Sequence, residues 1–284
     1  MEEINRFIPL DKSWIIRIGV LDLVNGYRDI IDFLNKQERL SDDLLALKTA
    51  IIEWNKKKQI NVGESGTLYR FLKFTSWKLG LNKGFIKHLT LKNRKICDNP
   101  EIISWNLRQL LELDNKTSQW ASASVLLGNT EKIENPPFKL QITYDAIHHW
   151  KSQREKKLSW EPKYDETIKN QALAFINLLK TGGINFQPQQ PEDYCFARAF
   201  NLITPEEGEE KWSSLRFHES DRIKEMEKSI QQMHNNEIID SKDHRVVQAI
   251  AMSSKAKNKS VKFEFPECVN KSWPQFWDFI EGCN

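Results

Sequence analysis

The stretch Leu215-Arg216-Phe217-His218-Glu219-Ser220-Asp221-Arg222-Ile223 crowds five ionisable side chains, Arg216, His218, Glu219, Asp221 and Arg222, into nine residues. Leu215 and Phe217 alternate with polar neighbours as in a short strand, while Ile223, Met226, Ile230 and Met233 recur at helical spacing behind a Ser220 or Asp221 N-cap. The charges are therefore expected at a helix N-terminus. There the unpaired N–H groups and the helix dipole favour an anion, and His218 and Arg222 add cationic donors. Glu219, a carboxylate among cations, is placed for proton transfer. Taken alone, the same residues also describe a charged, capped, solvated helix start.

Other helix starts carry similar chemistry. Lys12-Ser13-Trp14-Ile15-Ile16-Arg17 opens a helical pattern through Ile18, Leu21, Val24 and about Ile30, with Ser13 as the expected N-cap and Lys12 and Arg17 in reach of an anion. Leu40-Ser41-Asp42-Asp43 heads a helix whose buried stripe is Leu44, Leu45, Leu47, Ile51 and Ile52. Gly63-Glu64-Ser65-Gly66-Thr67 allows close backbone approach before a helix that carries Arg70 one turn in. Thr117-Ser118-Gln119 places hydroxyl and amide donors on another helix start, and Phe138–Ile142 alternates like a strand. A helix is expected over Ala172–Leu179, and a Pro- and Gln-rich turn, Gln187–Glu192, leads to Asp193 and a helix through Leu202. Asp243-His244-Arg245 and Lys271-Ser272-Trp273-Pro274 head the last two helices. One such start is worth about 0.3 to 1 kcal/mol to a surface anion. Several together, with the carboxylates of Asp193 and Glu219, describe a cleft for a multiply anionic substrate pair, with acid and base.

Composition narrows the alternatives. The 284 residues suit two moderate domains, and a net charge of +3 does not call for nucleic acid or a membrane as partner. Cys97, Cys195, Cys268 and Cys283 form no C-x-x-C pair, and adjacent His148 and His149 cannot share one helix face, so neither a metal site nor a disulfide framework is expected. The first ten residues hold no apolar signal core, no apolar run approaches membrane-spanning length, and a cytoplasmic protein is expected. No G-x-G-x-x-G or Walker loop is present among the 11 glycines, so anion binding falls to the helix starts.

The order of these motifs resembles the 5-enolpyruvylshikimate-3-phosphate synthase family, enolpyruvyl transferases of the shikimate pathway of aromatic amino-acid biosynthesis. Lys12-Ser13-x-x-x-Arg17, Ser41-Asp42-Asp43, Glu64-Ser65-Gly66-Thr67-x-x-Arg70 and Thr117-Ser118-Gln119 are similar to its K-S-x-x-x-R, S-D-D, G-T-x-x-R and S-S-Q motifs. Pro191-x-Asp193, Glu219-Ser220-Asp221-Arg222, Asp243-His244-Arg245 and Lys271 follow in the family's order.

The resemblance implies an α/β (α+β) fold of two domains built from βαβαββ repeats, with about one repeat missing from each because the chain is short. The domains would be residues 13–160 on the acceptor side, and 1–12 with 161–284 on the phosphoenolpyruvate side. Lys12, Arg70, Arg222, Arg245 and Lys271 would surround phosphoenolpyruvate. Ser13, Arg17, Thr117, Ser118, Gln119 and, in place of a lysine, His218 would hold shikimate 3-phosphate, while Asp193 and Glu219 would move protons. Neither metal nor cofactor is implied, the substrates are the partners, and a monomer is expected.

The chain departs from the family at several points. Leu10-Asp11 replaces a Pro-Gly pair, Trp14 and Tyr69 are bulkier, and of the family's basic loop only Lys92 and Arg94 have counterparts. Two other functions stand beside the first: enolpyruvyl transfer to another acceptor such as a UDP-sugar, and non-catalytic binding of a phosphorylated ligand.

Overall fold

The computed structural model describes residues 2–156, 161, 163–217 and 220–283. His218 and Glu219, two of the expected site residues, lie outside them. The chain is mostly helical, 62 % of it, and divides into two compact units, Leu10–Lys163 and Met1–Pro9 with Tyr164–Asn284. No described helix is long and apolar enough to cross a membrane.

The first unit, Leu10–Lys163, is organised around helix α1 (Lys12–Asn25). Asp11, rather than Ser13, caps it by accepting the Trp14 N–H at 3.0 Å. Gly26, in the left-handed region at φ 74°, ends it. Every residue from Trp14 to Asp22 is buried, as in a helix surrounded by protein. Helix α2 (Asp42–Glu53), α3 (Gly66–Lys78) and α5 (Phe138–Lys156) pack on α1, and α4 (Gln119–Leu126) joins α3 to α5. Gly19 permits the approach of α2, because a Cβ there would meet Leu47 Cδ1 at 2.9 Å. Strand β1 (Gln59–Asn61) pairs in parallel with β2 (Gly84–Ile86), Ile60 opposite Phe85, with α3 as the crossover that parallel strands require.

The second unit is organised around α9, with α6 (Glu166–Thr181), α7 (Tyr194–Ala199), α8 (Arg222–His234), α9 (His244–Ala256) and α10 (Phe276–Gly282) in chain order. Residues 244–254 are all buried. On one side Phe175, Phe196, Val247, Trp273, Phe276 and Phe279 form a core that Ile8 joins. Tyr194, Leu215, Met226, Met233, Val246 and Ile250 form another.

The βαβαββ repeats expected from the resemblance are not what the described residues form: their one sheet is the β1–β2 pair, beside an isolated bridge between Ile239 and Phe263. Phe138–Ile142, expected as a strand, opens α5, whose buried Leu140, Thr143, Ala146, Trp150 and Gln153 recur every three to four residues. Leu215–Phe217 belongs to a 3-10 turn over Ser213–Phe217, with Leu215 buried and Phe217 exposed. In both segments the alternation spans five residues or fewer, too few to separate a period of 2 from one of 3.6.

Candidate anion-binding site

In the second unit two helix starts meet at one carboxylate. Asp243 caps α9 by accepting the Arg245 N–H at 2.9 Å through Oδ1, while its Oδ2 accepts from Ser220 Oγ at 2.7 Å and from Arg222 Nε at 3.0 Å. Arg222 is the first residue of α8, which Asp221 caps by accepting the Lys224 N–H. Arg245 is only 5 % exposed, with Nη2 3.9 Å from Oδ2 of Asp165, the residue that caps α6. Its Nη1 is buried without a hydrogen-bond partner, as is Oε1 of Gln248 one turn further on. Gln248 Nε2 donates to Ser272 Oγ at 3.1 Å, which brings the buried Lys271 to the same end of α9. Arg222 and Arg245, two of the five residues that the resemblance sets around phosphoenolpyruvate, thus meet at Asp243 at the N-terminus of the 13-residue α9. A buried donor without an acceptor costs about 1 to 3 kcal/mol, a cost that an anion beside Nη1 would remove.

Cys195 lies behind this cluster. Burial pushes its thiol up to about 12, against the opposing pull of Arg222 and Arg245. Two residues earlier, Asp193 serves its own turn: Oδ2 accepts the N–H groups of Gln189 and Gln190 at 2.9 and 3.2 Å, and Oδ1 accepts from Gln171 Nε2 at 2.9 Å. It also lines a cleft of about 430 Å³, whose other walls are the amides of Asn170, Asn177, Asn185 and Gln187 and the side chains of Leu173 and Phe186. The carboxylate faces neutral polar groups there.

In the first unit Arg70 projects from the first turn of α3. Its Nε donates to Asp114 Oδ2 at 2.7 Å, and its Nη1 to Gln119 Oε1 at 2.7 Å and Gly66 O at 3.3 Å. Gln119 in turn donates to Thr67 Oγ1 at 2.8 Å. A Cβ on Gly66 would lie 3.1 Å from Arg70 Nη1 and 3.2 Å from Arg94 Nη1, so two guanidinium groups flank one glycine at a helix start capped by Ser65. Burial lowers the pKa of Arg70, Asp114 raises it, and the neighbouring Arg94 lowers it again. Thr117 and Ser118 are half-buried just before α4, Ser118 in the N-cap position without a side-chain capping bond.

Two expected ligand residues of this unit are engaged by the protein itself. Lys12 Nζ pairs with Asp43 Oδ2 at 2.8 Å. Arg17 is 1 % exposed and has protein acceptors for all five N–H groups: Thr143 Oγ1, the carbonyl and hydroxyl of Ser13, Ser122 Oγ and the Lys139 carbonyl. Burial brings its pKa down to about 10, with Asp11 opposing.

Asp114 is the member of this cluster that sequence reasoning missed. It holds Arg70, the Trp120 indole N–H at 2.8 Å and the Cys97 N–H at 2.8 Å, and it opens a run of three left-handed residues, Asp114, Asn115 and Lys116. The adjacent Asp-Asn pair was the available signal, since these two residues tolerate that conformation best among non-glycines. Strain of about 1 to 3 kcal/mol per such residue persists where surrounding contacts over-determine it, as the three bonds to Asp114 do.

No family model, no curated protein and no solved structure matches the chain.

Proposed function

We propose that the protein transfers the enolpyruvyl group of phosphoenolpyruvate to the 5-hydroxyl of shikimate 3-phosphate, releasing phosphate. The observation that carries this reading is the buried, unpartnered Nη1 of Arg245 at the start of α9, where Asp243 also holds Arg222. The eight motifs in the family's order supply the substrate. In the reaction the acceptor oxygen bonds to C2 of phosphoenolpyruvate as C3 gains a proton. The C2–O bond to phosphate then breaks as C3 loses one, so the enol ether forms with no net change of oxidation state. Arg222, Arg245 and Lys271 would neutralise carboxylate and phosphate. Thr117, Ser118, Gln119 and His218 would serve the acceptor, whereas Arg17 and Ser13 are engaged with the protein itself. Fixed cations of this kind stabilise developing charge without reorganising, usually the largest catalytic contribution. Asp193 and Glu219 would carry the protons.

The engagement of both Asp193 oxygens favours a second reading, a binder of a phosphorylated ligand without turnover. Phosphate release from phosphoenolpyruvate, measured with shikimate 3-phosphate and then with a UDP-sugar, separates the readings. The proposal expects release with shikimate 3-phosphate, loss of at least about tenfold in kcat for Asp193→Asn, and a raised KM for phosphoenolpyruvate in Arg245→Gln. No release with either acceptor, while phosphoenolpyruvate still binds, leaves the binder.

A further inference from the structure

Basic residues are concentrated in one part of the first unit. Between Trp54 and Cys97 eleven lysines and arginines stand against one acid, Glu64, so this stretch carries +10 in a chain whose total is +3. It folds as β1, α3, β2 and the segment that follows. Lys83 and Lys87 flank β2 in sequence, with Phe85 at its centre. Contacts mark the same strand: Lys73 Nζ lies 5.8 Å from the Phe85 ring, Tyr69 meets Phe85 edge-on at 5.6 Å, and Lys87 Nζ lies 5.1 Å from Tyr69. At the other end Lys83 Nζ donates to the Lys57 carbonyl at 2.7 Å, which seats the Lys56–Lys58 run beside it. Three of the eleven pair with acids, Lys57 with Glu53, Lys73 with Asp98 and the buried Arg70 with Asp114, whereas Lys56, Lys58, Lys78, Lys92 and Lys95 are exposed.

Charge complementarity points to an extended polyanion. The aromatic rings are already covered by cations, Trp54 by Lys83 at 5.5 Å, Trp77 by Lys73 at 5.0 Å and Tyr69 by Lys87, so they do not offer faces for base stacking. A bilayer fits less well, because the exposed large aliphatic side chains of this stretch among the described residues are Leu79 and Ile86 alone. We propose that this face binds nucleic acid through its phosphate backbone, without base selection. The overall charge of +3 concealed it, because the remainder of the chain is acidic.

Fluorescence anisotropy of the full chain, with a labelled single strand and a duplex each of two unrelated sequences, tests the proposal. Binding independent of sequence is expected, with log K falling linearly with log salt. Contact with about five phosphates gives a slope of about −4.5 on duplex. The variant K56Q/K58Q/K87Q should bind at least about tenfold more weakly and lower the magnitude of the slope by about 2 to 3. K132Q/K151Q/K156Q, which removes the same charge from exposed positions elsewhere in the unit, should bind as the parent does. If the first triple fails to match the parent's circular dichroism, K78Q/K92Q/K95Q takes its place with the same expectation. Absence of binding at about 50 mM salt overturns the proposal. So does equal weakening by the charge-matched control, and so does binding to phosphatidylserine vesicles but not to either oligonucleotide.

Discussion

Arg17 shows how little a side chain's type says about its employment. A basic residue one turn into a helix is positioned for an anion, yet its five donors are consumed by hydroxyls and carbonyls from α1, α4 and α5. The guanidinium ties those helices together. Thr143 is the central acceptor, taking the Nε–H at 2.7 Å and lying 2.9 Å from Ser122 Oγ. Thr143→Val keeps the shape and removes the acceptor, leaving a buried cationic donor unsatisfied, and should cost about 1 to 3 kcal/mol. Urea unfolding measures this, and an unchanged midpoint at unchanged slope would refute the tie. Arg245 is the opposite case, equally buried by its neighbours but left with a donor unused.

Among the elements, α8 and α9 start at a shared carboxylate, so Asp243 caps one helix and holds the first residue of the other. The two roles separate by substitution. Asp243→Asn keeps a capping oxygen and loses the charge beside Arg222, whereas Asp243→Ala loses both and strands a buried guanidinium. The alanine variant should be destabilised by about 3 to 5 kcal/mol, the scale for breaking a buried ion pair, and the asparagine variant by less. Thermal unfolding orders them, and equal losses would mean that the cap contributes nothing. In the same arrangement Arg222 pairs with Asp243, and the side chains of Arg245 and Gln248 carry buried polar atoms without a hydrogen-bond partner.

For the molecule as a whole, a ligand bound only by the folded state adds its binding free energy to global stability. Inorganic phosphate at about one hundred times its dissociation constant should stabilise the second unit by about 2.7 kcal/mol, and Arg245→Gln should abolish most of that gain. Hydrogen exchange provides the readout: protection should rise across α9 in the parent and stay unchanged in the variant. A parent unaffected by phosphate would remove the anion site from consideration.

The sequence by itself determined where several helices begin, because a cap is a local bond. Asp221 and Asp243 each accept an N–H two or three residues ahead, so a polar residue before an apolar period is sufficient. Tertiary structure alone decided which basic side chains are spent. Arg17 meets Thr143 across 126 residues and Arg70 meets Asp114 across 44, and neither pairing leaves a mark on local propensity. Secondary structure failed where windows were shortest: β1 and β2, three residues each, are held by one another's hydrogen bonds, while Phe138–Ile142 takes its helical period from buried residues beyond the alternating segment. Caps reach two or three residues along the chain. Burial, pairing and strand registration join residues the chain keeps far apart, and only the folded molecule brings them together.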